Sequence, residues 1–361
     1  MLPYWVLFFC VAWMAITHMR PVARGSQRAF PMEGAWLVAI ALLTLMIGWR
    51  HEVGGDWVSY LWHIDAMEGK SFGSPGANGR GDPAYTLLNW LGANWVGGVY
   101  FVNLVCAAIF SVGLAVFCRS QPRPWLALAV AVPYLVVVVA MGYTRQGVAI
   151  GLAMLGMAAL QQRGVVAFLF WIAVAGLFHK SAIVLVPLVL FSGQKNRLMV
   201  MLGVVLVCLV LYVLLLQESI DNLKYGYVDK EYDSSGAAIR VAMNCIPAIL
   251  FLLFRKRFRL DARAQTFWTW MSVSGVMFVP LLMVSSSSTA VDRVALYWIP
   301  LQLFVLSRLP DVFGRFAAKN QLVVFSLLGY SASILAVWLF FASHAFAWLP
   351  YQFYPWVFLW Q

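Results

Sequence analysis

The chain has 361 residues, 63% of them hydrophobic and only 11% charged, with a formal net charge of +11. That composition lies far outside the soluble range and leaves no stretch that could fold as a soluble nucleotide-binding domain. The basic excess therefore reports membrane topology, with no soluble surface on which to present a nucleic-acid patch.

About twelve apolar runs are long enough to cross a hydrocarbon layer of roughly 30 Å, and they must do so as helices because lipid offers the backbone no partners. They lie near 2–19, 33–49, 98–118, 124–141, 145–161, 164–178, 180–193, 198–216, 240–254, 266–284, 294–309 and 321–343. The expectation is an all-α, polytopic integral membrane protein, one membrane-embedded domain over 1–361.

The first run could be mistaken for a signal peptide. No Lys or Arg precedes it, however, and Arg20, Arg24 and Arg28 follow it. That order puts the N-terminus outside and keeps the helix as an anchor. Alternating from there, sixteen of the 25 basic residues and three of the 14 acidic ones (Glu33, Asp261, Asp311) fall inside, leaving +13 within and −2 without.

Two sizeable excursions are external, at about 50–97 and 217–239. The first has a Gly- and Pro-rich centre, SFGSPGANGRGDP, flanked by Trp57, Tyr60, Leu61 and Ile64 and by Tyr85, Leu88 and Leu91 at helical spacing. Both flanks fit amphipathic helices at the membrane surface. The second is acidic, with Tyr225, Tyr227 and Tyr232 interleaved, a composition equally suited to sugar binding and to a solvated loop.

Arg50, Arg145, Lys180, Arg240 and Arg293 stand at the ends of apolar runs on the outer side, where the chain otherwise avoids positive charge. One such residue is an ordinary anchor, and Asp292 beside Arg293 suggests a simple salt bridge. Five of one sign suggest a cup for an anionic head group, since a guanidinium offers phosphate a planar fork of donors. After Arg145, Gly147 and Gly151 give a face for close helix approach. His179 falls between two runs, where neighbouring cations keep it neutral and able to take a proton. Asp56, behind Gly54-Gly55, is the other candidate base or a sugar ligand. The five cysteines show neither CxxC spacing nor histidine partners, so neither disulfides nor a metal site is expected. The tail FAWLPYQFYPWVFLWQ reads as an aromatic belt, with a lid as the lesser alternative.

These motifs together resemble the EpsG-like group of Wzy-type polysaccharide polymerases. The carriers are Arg50 followed by Val53-Gly54-Gly55-Asp56 and Tyr60, then Asp82-Pro83-Ala84-Tyr85, Arg145-Gln146, Phe178-His179-Lys180-Ser181, and Arg293 with Tyr297. Asp82 stands where the group's pattern suggests Glu, and Glu52 is an unusual insertion. The resemblance implies a glycosyltransferase of GT-C-related architecture in a bacterial inner membrane, its site facing outward. It implies undecaprenyl-diphosphate-linked oligosaccharide as donor and acceptor, with no cofactor and no metal. A chain-length regulator and a flippase are the protein partners it implies. On this reading Arg145 and Arg293 grip the diphosphate and His179 or Asp56 acts as base. Arg50, Tyr60, Asp82, Tyr85, Gln146, Lys180, Arg240 and Tyr297 bind substrate. An O-antigen ligase, a lipid-linked oligosaccharide flippase and a membrane acyltransferase are the rival readings.

Overall fold

The computed structural model describes residues 1–22, 33–72, 82–162, 164–191, 236–285 and 288–359. The run expected at 198–216 and most of the second excursion, with Tyr225, Tyr227 and Tyr232, lie outside them.

The described chain is mostly helical. In order it runs α1 (Leu2–Thr17), α2 (Gly34–Gly48), β1 (Arg50–His51), α3 (Trp57–Asp65), α4 (Pro83–Asn94), α5 (Gly98–Arg119) and α6 (Pro124–Ala131). After α6 the helix widens into a π-helical stretch, Val132–Ala140. Then come α7 (Thr144–Gln162), α8 (Val165–Phe178) and a 3-10 segment, Lys180–Phe191. The rest comprises α9 (Ala237–Phe254), α10 (Ala262–Val284), α11 (Ser288–Ala295), α12 (Ile299–Leu306), α13 (Leu309–Phe313), α14 (Gln321–Phe341), β2 (Gln352–Phe353) and α15 (Tyr354–Leu359).

Local chemistry sets several of these starts. Pro3, Pro83 and Pro124 occupy first-turn positions, where the missing N–H costs nothing. The Asp261 carboxylate caps α10 by accepting from the Ala264 N–H at 2.9 Å. The helices expected on either side of the Gly-rich centre are present as α3 and α4. On α4 the buried face is Tyr85, Asn89 and Gly92, while Leu88 and Leu91 are only half-buried.

Five helical stretches among the described residues are long and apolar enough to cross a membrane: Gly98–Arg119, Ala237–Phe258, Ala262–Val284, Ser288–Leu306 and Gln321–Phe341. Leu2–Thr17, Gly34–Gly48, Pro124–Ala140 and Val165–Phe178 are apolar but shorter. The expected count of twelve is therefore not reached among the described residues. One reason is geometric: the run expected at 180–193 is a 3-10 segment of 12 residues, which at about 2 Å per residue reaches roughly 24 Å.

The helices share one apolar cluster that runs from Tyr4 to Trp348. At its centre α5 crosses α7 closely. A Cβ on Gly113 would clash with the Gly151 carbonyl oxygen, and one on Gly151 would stand 2.6 Å from the Phe110 Cα. Gly147 packs on Ala140. The small-residue face behind Arg145 is thus a backbone-to-backbone contact, which fixes where α7 begins.

Helix ends sort into two groups. At the basic end, the buried Arg123 guanidinium donates to Asp311 at 2.8 Å and to the Ala318 carbonyl at 2.8 Å, and Arg308 donates to Gln121. At the other end lie the starts of α5, α7 and α9 and the close of α2 and α8. The aromatic tail returns to this second end. β2 pairs antiparallel with β1, Phe353 opposite Arg50. The buried Trp348 donates from its indole to the Val137 carbonyl at 2.7 Å and accepts from the Tyr4 hydroxyl at 2.7 Å. Ala347 accepts from the Gly54 N–H at 2.8 Å, and Tyr354 stacks on Tyr100 at 3.7 Å. The tail is therefore a strap over the Arg50–Gly54 turn, while Phe346, Trp356 and Phe358 remain exposed as belt residues do.

Candidate functional site

The site is built where α3, α4, α7, α11 and the junction of α8 with the 3-10 segment meet. Arg145 opens α7, and its side chain keeps about a third of its surface exposed (36%). One of its amino groups stands 3.6 Å from an Asp82 oxygen, and the guanidinium lies over the Tyr85 ring, 5.7 Å from the centroid. Asp82 itself is buried. Its other oxygen accepts from the Lys180 N–H at 3.1 Å, so one carboxylate ties α4 to α7 and to the turn after α8. Tyr85 meets Tyr60 edge-on at 6.4 Å.

Tyr60 anchors α3. Its hydroxyl accepts from the Thr144 N–H at 2.9 Å and lies by the Gly142 carbonyl at 3.4 Å. It also lies within electrostatic reach of the Asp56 carboxylate. Burial raises the Asp56 pKa, and the opposing pull of Arg293, Arg145, Tyr60 and Arg50 does not cancel it. Burial likewise raises Asp82 against Arg145 and Lys180.

His179 terminates α8 in an extended conformation. Its Nδ1 lies 3.3 Å from the Ser181 hydroxyl, which donates in turn to the Tyr297 hydroxyl at 3.3 Å. Burial, then Arg145, Arg293 and Lys180, hold the imidazole well below its ordinary pKa, so it is neutral near pH 7. Gln146 donates to the Arg293 carbonyl and locks α11 against α7.

Two of the five outer cations are used otherwise than the cup requires. Arg50 is fully buried: it donates to the Ile47 carbonyl at 2.6 Å, the Val53 carbonyl at 3.1 Å and the Thr144 hydroxyl at 2.7 Å. It braces the turn from beneath. Arg240 donates to an Asp292 oxygen at 2.6 Å with both side chains largely buried. Asp292 thus serves Arg240 and not its chain neighbour Arg293, contrary to the salt bridge that adjacency suggested. Among the described residues, Arg293 makes no ion pair within 4.0 Å; it acts on Asp56 and His179 only through its field.

The structure therefore brings Asp56, Tyr60, Asp82, Tyr85, Arg145, Gln146, His179, Lys180, Arg293 and Tyr297 into one neighbourhood. Arg50 lies below it and Arg240 on its flank. The sequence reading omits Asn103 and Thr144, which with Arg50 form the buried polar floor: the Thr144 hydroxyl donates to Asn103 at 3.2 Å. The signal was present, since Asn103 is the one amide in the apolar span α5. Ser181 appears in the sequence only as part of a motif, yet it links His179 to Tyr297.

A bundle of apolar helices with basic and acidic side chains gathered at one end defines a multi-pass membrane protein with a polar site at one end of its helices. Residues 35–353 match the EpsG family, and the chain belongs to it. This places it among membrane proteins of exopolysaccharide biosynthesis. No curated protein and no solved structure matches the chain significantly.

Proposed function

We propose that the chain is a polysaccharide polymerase, a glycosyltransferase joining undecaprenyl-diphosphate-linked repeat units at the outer face of a bacterial inner membrane. The observation that carries this reading is the pair Arg145 and Arg293. Neither is tied up by a tight carboxylate, and both lie within electrostatic reach of Asp56 and of the neutral His179.

The chemistry is a displacement at an anomeric carbon. The acceptor hydroxyl forms the new C–O bond, the bond from the anomeric carbon to the diphosphate oxygen breaks, and undecaprenyl diphosphate leaves with the electron pair. Arg145 and Arg293 neutralise the charge that grows on that leaving group. Lys180 adds to the same field. The hydroxyl proton passes to Asp56 or, less readily because its pKa is held low, to His179. Tyr60, Asp82, Tyr85, Gln146 and Tyr297 shape the site, and Arg240 and Arg50 hold its walls. The GT-C-related architecture and the single-domain organisation belong to this reading.

Reconstitution in lipid with a purified lipid-linked repeat unit tests it. A ladder of polymer supports the polymerase. A single transfer to another acceptor gives the ligase, and translocation without bond formation gives the flippase.

A further inference from the structure

At the basic end, away from the site described above, a cleft of about 550 Å³ opens between the end of α1, the start of α2 and the α5–α6 turn. That volume falls within the roughly 300–1,000 Å³ typical of ligand clefts. Among the described residues, Arg20, Arg119 and Lys319 line it with Glu33 as the one carboxylate, so their summed charge is positive. One wall is aromatic: Trp36 stacks on Trp125 at 4.2 Å, with the His18 ring 6.2 Å from Trp125. Above it, the flanking helices expose apolar side chains, Trp13 at 65% on α1 and Leu37 at 55% on α2.

We propose that this cleft binds the head group of an anionic glycerophospholipid of the inner leaflet. The phosphodiester would sit against Arg20, Arg119 and Lys319, and Glu33 would accept a hydrogen bond from a head-group hydroxyl. The acyl chains would run along the exposed faces of α1 and α2. Three arguments converge on a lipid. The cleft lies at the end where Lys and Arg accumulate, which is the leaflet that carries anionic lipid. Tryptophans at its wall suit the boundary between head group and hydrocarbon. The apolar residues beside it give tails somewhere to lie, which a soluble phosphate would not need.

The test is native mass spectrometry of the purified full chain titrated with phosphatidylglycerol or phosphatidylcholine. The expected result is at least a tenfold preference for phosphatidylglycerol at the first binding event. The variant R20Q/K319Q should reduce that preference about tenfold, whereas K256Q/R263Q, which removes two exposed charges outside the cleft, should leave it intact. The single change Lys319→Gln, at an exposed side chain, should give a partial loss and guards against misfolding of the double variant. Equal binding of the two lipids, or equal loss in both double variants, would overturn the proposal. Displacement of the lipid by millimolar inorganic phosphate would overturn the lipid assignment in favour of a soluble phosphate compound.

Discussion

At the scale of single residues, the outer arginines divide by what their guanidinium groups already hold. Arg145 rests on Tyr85 and a 3.6 Å contact to Asp82, an arrangement that leaves donors for a ligand. Replacing it by Lys keeps the charge and loses the planar fork. Polymer-ladder turnover should fall about tenfold to a hundredfold, or ~1.4–2.7 kcal/mol of transition-state stabilisation, and wild-type rates in Arg145→Lys would refute bidentate recognition. Asp56 carries the pH prediction. Its folded pKa is raised, so the carboxylate needed as a base is lost as pH falls through a value above the ordinary carboxylate range. If Asp56 is the base, the acid limb of the rate profile lies correspondingly high, and Asp56→Asn abolishes turnover while His179→Gln leaves the limb in place. The reverse outcome assigns the base to His179. Arg240 and Asp292 form the tight pair on the flank. Removing either partner breaks a largely buried ion pair and should cost up to about 3–5 kcal/mol, with a double replacement recovering part of the loss in thermal unfolding.

At the scale of elements, two contacts hold the site in place from a distance. The α5–α7 crossing has no room for a side chain at Gly113 or Gly151, because the obstacle in each case is backbone. Gly151→Ala should therefore cost about 1–3 kcal/mol by overpacking, read as a lowered unfolding temperature in detergent. Since α7 carries Arg145, turnover should fall with it. The aromatic tail is the second device. Trp348 fills a slot against Gly142 and its neighbour Ala347 holds the Gly54 N–H, two residues from Asp56. Trp348→Ala should cost about 3–5 kcal/mol as a large core truncation. Turnover should drop more than for Trp356→Ala, where the ring is exposed. Equal effects of the two changes would mean that the tail acts only as a belt.

At the scale of the molecule, polarity is segregated along the helix axes. Arg123, Arg308 and the Arg255–Arg259 turn lie at one end, and the mixed acidic and basic site lies at the other. The interior between them is apolar, crossed by few polar bonds such as Gln302 to Asn244 at 2.8 Å and Asn244 to the Ala295 carbonyl at 2.8 Å. Such bonds act between helices where hydrophobicity cannot discriminate partners. Among the described residues, this layout gathers the charged groups at the two ends of the helices and leaves the middle without a continuous charged lining.

Much of this was legible in the residues themselves. Hydropathy marks α1, α2, α5 and α14 within a few residues, because a backbone without water partners has no alternative to the helix. The bias of Lys and Arg separates the two ends, and the motifs from Arg50 to Tyr297 point to the family. Tertiary structure alone decided which cations are available. Arg50 and Arg145 look alike in sequence, yet one is enclosed by the Ile47 and Val53 carbonyls and Thr144, while the other stays open over Tyr85. Adjacency suggested Asp292 with Arg293, but on a helix neighbouring residues face apart, and Asp292 turns to Arg240 across the bundle. Period and composition are local properties carried by each segment. The partner of a buried charge is set by which distant helix arrives beside it, and that follows only from packing.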